Sequence, residues 1–162
     1  MNTKRLSSLI ILSALTLIIG IIESLLPPIL PFLPYVRIGF ANIVIVYALF
    51  KLGVKEAYLL AVIKSVFTGI FLGNPIIIAY SLPSSLISLT LITLLVKANK
   101  NSLCAISAAG AVCHNLCQLG VAAIMVSSAL VFSYLPYFVL AGALSGYAVG
   151  VIVLLLFKRL PF

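Results

Sequence analysis

Residues 4–26 read KRLSSLIILSALTLIIGIIESLL: two basic residues, then an apolar run interrupted by single small or hydroxyl side chains and one late acid, Glu23. A helix that crosses a bilayer needs about 20 predominantly apolar residues, and residues 6–26 supply them. Lys4 and Arg5 ahead of an apolar stretch could also open a cleaved signal peptide. No small-x-small cleavage site follows, so the stretch is read as a retained first helix.

Five further apolar runs follow. They cover residues 36 or 38 to 52, 54–72, 76–96, 103–130 and 136–157. The breaks between them carry helix-ending chemistry. The first is rich in proline (Pro27, Pro28, Pro31, Pro34), the third is Gly73-Asn74-Pro75, and the fourth is the polar stretch 97–102. The second run is the shortest. Six runs predict an all-α membrane protein with six transmembrane helices, forming a single integral membrane domain over residues 1–162, multi-pass in the cell membrane.

The basic residues supply an orientation. Of the ten in the chain, eight fall in four pairs: Lys4 and Arg5, Lys51 and Lys55, Lys97 and Lys100, Lys158 and Arg159. Lys and Arg are retained on the cytoplasmic side, so an N-in, C-in arrangement places all four pairs inside and leaves only Arg37 in an outer loop. Composition agrees with this. The chain is 64% hydrophobic and 7% charged, whereas a soluble domain carries about 25% charged residues. A formal charge of +8 can mark a nucleic-acid binder, but such proteins cluster their basic residues on one exposed face. Here they punctuate apolar runs, and a nucleic-acid partner is not expected.

Lys64 is the basic residue that breaks the pattern. It comes about nine residues after the inner start of the third run, which at ~1.5 Å per residue puts it near mid-bilayer. A lysine there costs about 3 kcal/mol on insertion scales, so it should face the bundle interior, with snorkelling to an interface as the alternative. The fifth run holds a second polar group at similar depth. His114 and Gln118 are one helical turn apart on one face, with Asn115 beside them. Such a group either lines a ligand pocket or holds helices together through hydrogen bonds. Arg37 and Asn42 flank the start of the second run. With Lys64, Arg37 would give a pocket positive character suited to a carboxylate or phosphate, and Glu23 is Arg37's alternative surface partner.

Cys113, His114 and Cys117 invite a metal reading, but Cys113 and His114 point about 100 degrees apart on a helix. No second His and no Asp exists in the chain to complete a coordination sphere, so neither a metal nor another cofactor is expected. Without Asp there are no paired aspartates to hold magnesium for diphosphate chemistry, and no Ser-His-acid set or phosphate-binding loop is complete. The chain is not expected to be an enzyme. Small residues mark helix contacts: Gly142, Gly146 and Gly150 in the last run, and Ser13, Thr16 and Gly20 in the first. Either series could pack the bundle internally or dock a partner subunit.

The stretch Arg37-Ile38-Gly39-Phe40-Ala41-Asn42 resembles the R-L-G-L-A-N entrance to the second helix of the Gx transporter family, also labelled heptaprenyl diphosphate synthase component I. Residues 109–118 resemble that family's A-G-A-x-x-H-N-x-x-Q, and this His-Asn-x-x-Gln segment is the most specific part of the likeness. Lys64 with Gly69 and Gly73, and Gly142 with Gly146, extend it over nearly the whole chain, although Arg would be expected at position 64. A Lys there weakens bidentate anion binding. The family is similar to the S components of energy-coupling-factor importers, six-helix proteins that capture small molecules on the outer side. The resemblance implies Asn42, Lys64, His114, Asn115 and Gln118 as pocket residues, with a transmembrane coupling protein and cytoplasmic ATPase subunits as partners. It names no ligand. The alternatives are a non-catalytic membrane subunit associated with heptaprenyl diphosphate synthesis, or a stand-alone secondary transporter.

Overall fold

The computed structural model describes residues 3–25, 39–98 and 102–159. Helix is the only regular structure among them: α1 (Thr3–Leu25), α2 (Phe40–Lys51), α3 (Val54–Phe71), α4 (Pro75–Ala98), α5 (Leu103–Val126), a 3-10 segment (Ala129–Tyr134) and α6 (Leu135–Arg159). The helices begin and end where local chemistry dictates. Asn74 caps α4 by accepting from the Ile76 amide at 3.0 Å, and Ser102 caps α5 by accepting from Ala105 at 3.3 Å. The fifth run was expected to continue to residue 130 but stops at Val126. Ser127 takes the left-handed conformation (φ 52°), which terminates a helix, and Ser128 then caps the 3-10 segment through Leu130. The proline-rich segment, Arg37 and Lys100 lie outside the described residues.

By length and composition, four helices can cross a membrane: α1 from Arg5, α4, α5, and the continuous segment Ala129–Arg159. The other two depart from that standard. The described α2 has only 12 residues, and α3 has 18 but includes Lys55, Glu56 and Lys64. The bundle's surface is apolar. Ile10, Ile11, Ile18 and Ile22 of α1 and Leu140 and Leu144 of α6 are all more than half exposed. Meanwhile Thr16, Ser65 and Ser84 are fully buried. This distribution suits hydrocarbon as the solvent, where every backbone polar group must be satisfied within helices.

Helix contacts bring basic residues of α1, α2, α3 and α6 to one end, here termed the basic pole. Arg5 at the start of α1 pairs with Glu56 at the start of α3 (2.7 Å) and donates to the Leu52 carbonyl after α2. Phe157 near the end of α6 packs its ring on Tyr47 and Phe50 of α2, with Lys51 Nζ 5.4 Å from its centroid. Gly150 of α6 lies against Cys104 at the start of α5.

The glycine series of α6 is consumed by this packing. A Cβ at Gly142 would lie 2.9 Å from the Val112 Cα, at Gly146 2.7 Å from the Ala108 Cα, and at Gly150 2.6 Å from the Cys104 Cα. Of the two uses expected for the series, the α5 backbone therefore takes the first, internal packing. In α1, Gly20 faces inward as well, its Cβ position 3.3 Å from Thr68 Oγ1 and 3.7 Å from Lys64 Cγ. Ser13 is half-buried and donates to the Leu9 carbonyl at 2.8 Å.

Candidate functional site

Lys64 occupies the middle of α3 with 8% of its surface exposed, in the interior position and not the snorkelling one. Its ammonium donates to the side-chain carbonyl of Asn42 at 3.0 Å. Asn42 is in the first turn of α2, where its own amide donates to the Gly39 carbonyl at 2.8 Å. Gly39 opens α2 in the left-handed region (φ 81°), a conformation that a side chain would strain. Its amide donates to the carboxylate of Glu23 on α1. Glu23, Gly39, Asn42 and Lys64 thus form one polar chain across α1, α2 and α3. The Glu23 carboxylate does the work that a capping side chain would otherwise do at the start of α2.

Glu23 departs from its surface reading. It is 8% exposed, on the inward side of α1 one turn beyond Gly20. In a dry environment an ionised carboxylate needs donors, and the Gly39 amide is one.

Helix α5 supplies the opposite wall. His114, Asn115 and Gln118 are all buried, at 9%, 4% and 7% exposure. The Asn115 amide donates to the Phe138 carbonyl at 3.1 Å, tying α5 to α6. Asn115 thus holds helices together, as the second reading of the sequence has it, and it also borders the cavity described next.

These groups enclose a cavity of about 30 Å³, bounded by Glu23, Asn42, Lys64, Thr68, Ser81, His114, Asn115, Gln118 and Ser145. That is room for one or two waters. A second cavity of about 30 Å³ shares Asn42, Ala111 and His114 with the first and extends towards the basic pole past Ser85, Ser88 and Ser107. The α4 hydroxyls along this path are bonded. Ser65 of α3 pairs with Ser81 at 3.1 Å, and Ser88 donates to the Gly110 carbonyl at 2.7 Å. Beyond Ile92 and Val149 the polar lining ends, and the apolar cluster around Leu60, Ala57 and Val153 fills the bundle.

Two atoms bordering the first cavity stand out. The Gln118 Oε1 and the Thr68 Oγ1 are buried without a hydrogen-bond partner among the described residues. Buried polar groups are nearly always satisfied, so an unmet pair facing one space marks a place where a water or ligand supplies the bond.

Five of the six residues expected to bind substrate, Asn42, Lys64, His114, Asn115 and Gln118, therefore converge on one cavity. The sixth, Arg37, lies outside the described residues. The expected positive character rested on Arg37 as well as Lys64; the described lining holds Lys64 together with Glu23. Thr68, Ser81 and Ser145 were not anticipated. A signal for them existed: Thr68 is one turn from Lys64, and Ser81, Ser84, Ser85 and Ser88 recur at three- and four-residue spacing along α4. Cys113 and Cys117 line a separate groove with Leu91 and Ala109, so they do not join His114 around a common point.

A family model described as heptaprenyl diphosphate synthase component I matches residues 12–156. No curated protein matches the chain, and no solved structure does.

Proposed function

Because the chain belongs to the heptaprenyl diphosphate synthase component I family and encloses a polar cavity in an apolar bundle, we propose that it is a membrane-embedded, non-catalytic binding subunit. It captures a small organic molecule between α1, α2, α3 and α5. It acts as the S-component-like specificity subunit of an energy-coupling-factor type importer, with a transmembrane coupling protein and cytoplasmic ATPase subunits as partners. All six helices cross the membrane, with the basic pole in the cytoplasm. Helix α3 fits this arrangement because Lys55 and Glu56 sit in its first turn, at that pole, leaving Lys64 as its one charge in the apolar layer.

The observation that carries the proposal is the cavity's position. It adjoins the starts of α2 and α4 and the ends of α1 and α3, away from the basic pole, while the apolar cluster closes the other half. A polar cavity near one end of the bundle, with the other end sealed by apolar packing, suits capture and delivery to a partner. An open channel, by contrast, needs a polar path through the whole bundle, and the apolar cluster interrupts one.

The family's name favours a second reading, a non-catalytic membrane component acting beside a separate prenyl diphosphate synthase subunit. Purification of the tagged full chain from its native membrane separates the two. ATPase subunits in the complex support the importer, and a soluble prenyl synthase supports the second reading. The pocket assignment itself is lost if Lys64→Met and His114→Ala both retain bound ligand at the wild-type level in native mass spectrometry.

A further inference from the structure

We infer that the cavity selects a compound of zero net charge, neutral or zwitterionic, that presents an N–H group to Gln118, a hydrogen-bonding group to Thr68 and an acceptor to Lys64. The inference rests on the pocket reading above and narrows it to a ligand class.

The first argument is charge. Glu23 and Lys64 are the charged residues of the described lining, and each is 8% exposed. At short range in a poorly polarisable interior, neither charge is screened from an occupant. A net anion gains from Lys64 and loses to Glu23, and a net cation does the reverse. A diphosphate is the worst case: it needs several converging cationic donors, preferably forked ones, and among the described lining residues it finds one ammonium, bonded to Asn42. A molecule without net charge meets both groups favourably.

The second argument is the pattern of open hydrogen-bonding positions. Several polar groups around the cavity already have partners. The Asn42 carbonyl accepts from Lys64, the Asn115 amide donates to Phe138, and the Glu23 carboxylate accepts from Gly39. Of the three buried side-chain atoms without a partner among the described residues, two border this cavity, Gln118 Oε1 and Thr68 Oγ1, on residues 7% and 3% exposed. The third, the Tyr47 hydroxyl, is not in its lining. The Gln118 Oε1 can only accept, so the ligand supplies a donor there, while the Thr68 hydroxyl can accept from the ligand or donate to it. A site built to accept a hydrogen bond discriminates strongly against an analogue that lacks the donor, because the buried acceptor is then left bare.

The third argument is entry. At about 30 Å³ the cavity admits no organic molecule until helices part, and the Glu23–Gly39 contact joins α1 to the start of α2. An incoming N–H or ammonium can replace the Gly39 amide as the donor to Glu23. The chemistry that fits the cavity is then also the chemistry that opens it.

The test uses the full chain purified from its native membrane. Ligand released from it is identified by mass spectrometry, and the protein is titrated calorimetrically with inorganic pyrophosphate and with methylammonium. The released compound should carry no net charge at neutral pH and bear an N–H group. Wild type should bind both probes with Kd weaker than about 1 mM. Glu23→Gln should gain pyrophosphate binding and Lys64→Met should gain methylammonium binding, each by about tenfold or more. Micromolar pyrophosphate binding by wild type overturns the inference, as does a released ligand of two or more net charges. Unchanged probe binding in both variants does the same. In each of those cases the pocket still stands. The pocket falls separately, if Gln118→Leu, Lys64→Met and His114→Ala all keep the released compound at wild-type occupancy.

Discussion

The half of the bundle at the basic pole and the half away from it are made from the same helices, yet they bury opposite things. Towards the basic pole, Ala57 and Leu60 of α3 and Val153 of α6 are wholly buried in a cluster of aliphatic side chains. Farther along, the same α3 buries Lys64 and Thr68, while α5 buries His114, Asn115 and Gln118. One half is close-packed around aliphatic and aromatic side chains, with the Tyr47 hydroxyl buried in it without a hydrogen-bond partner among the described residues. The other leaves two hydrogen-bonding atoms open and keeps its charges together around a small space. Natural sequences depart from a self-consistent core mainly at sites of function, and among the described residues this chain gathers its buried charges and amides at one end.

Substitutions along the axis should expose that division, beginning with those that strike packing. Gly146→Leu should have the largest effect. Even a Cβ would sit 2.7 Å from the Ala108 Cα, so the α5–α6 contact must open, with a loss of about 3 kcal/mol or more. Failure to recover monodisperse protein in detergent is the expected readout, and a normal yield with unchanged melting would show that α6 does not pack as described. Leu60→Ala, in the apolar half, should cost about 2–3 kcal/mol through the space it leaves, seen as a lower melting temperature. Ligand occupancy should be kept in the fraction that remains folded. If occupancy fell as well, the two halves would not be separable.

In the polar half the pattern should reverse. Asn115→Leu removes the hydrogen bond to the Phe138 carbonyl and should cost about 1 kcal/mol, within the range measured for interhelical bonds in membranes. It should reduce ligand retention by more than that destabilisation explains. Thr68→Val should be the mildest for folding, close to 0 kcal/mol or slightly stabilising, because the hydroxyl it removes has no partner to lose. Its melting temperature should match wild type while ligand retention drops. A clear destabilisation would mean that the hydroxyl is satisfied in the membrane and does not await a ligand.

Much of the first half of this picture was legible in the sequence. The long runs 76–96 and 103–130 became α4 (Pro75–Ala98) and α5 (Leu103–Val126) because an uninterrupted apolar stretch of that length admits little but a helix. The overrun at residue 130 came from composition. Residues 127–130 remain fairly apolar, and only the backbone conformation of Ser127 ends the helix. Lys64, His114, Asn115 and Gln118 were conspicuous because polar side chains are costly in an apolar run. Their meeting with Asn42 could be expected only by likeness, since no spacing rule links α2 to α5. Glu23 was harder. Its place near the end of the first run makes it look like an interface residue, and which way it faces depends on how α1 turns against α3. The hydroxyls are harder still. Serine and threonine can bond back to the preceding helical turn, as Ser84 does to the Tyr80 carbonyl and Thr93 to the Leu89 carbonyl. Their presence in an apolar run therefore does not reveal a cavity.

The pairing of Glu23 with Lys64 in one lining also bears on membrane voltage. Lys64 lies about ten residues into α3, ~15 Å from the basic pole, so in the proposed orientation the cavity is well inside the potential drop. Carrying one net charge across the full drop is worth about 2.3 kcal/mol per 100 mV. A ligand without net charge does no electrical work in reaching that depth. It would load to the same occupancy in an energised and a de-energised cell, and the potential could neither pull it in nor hold it back. Any accumulation against a gradient would then have to draw its energy from the partner subunits.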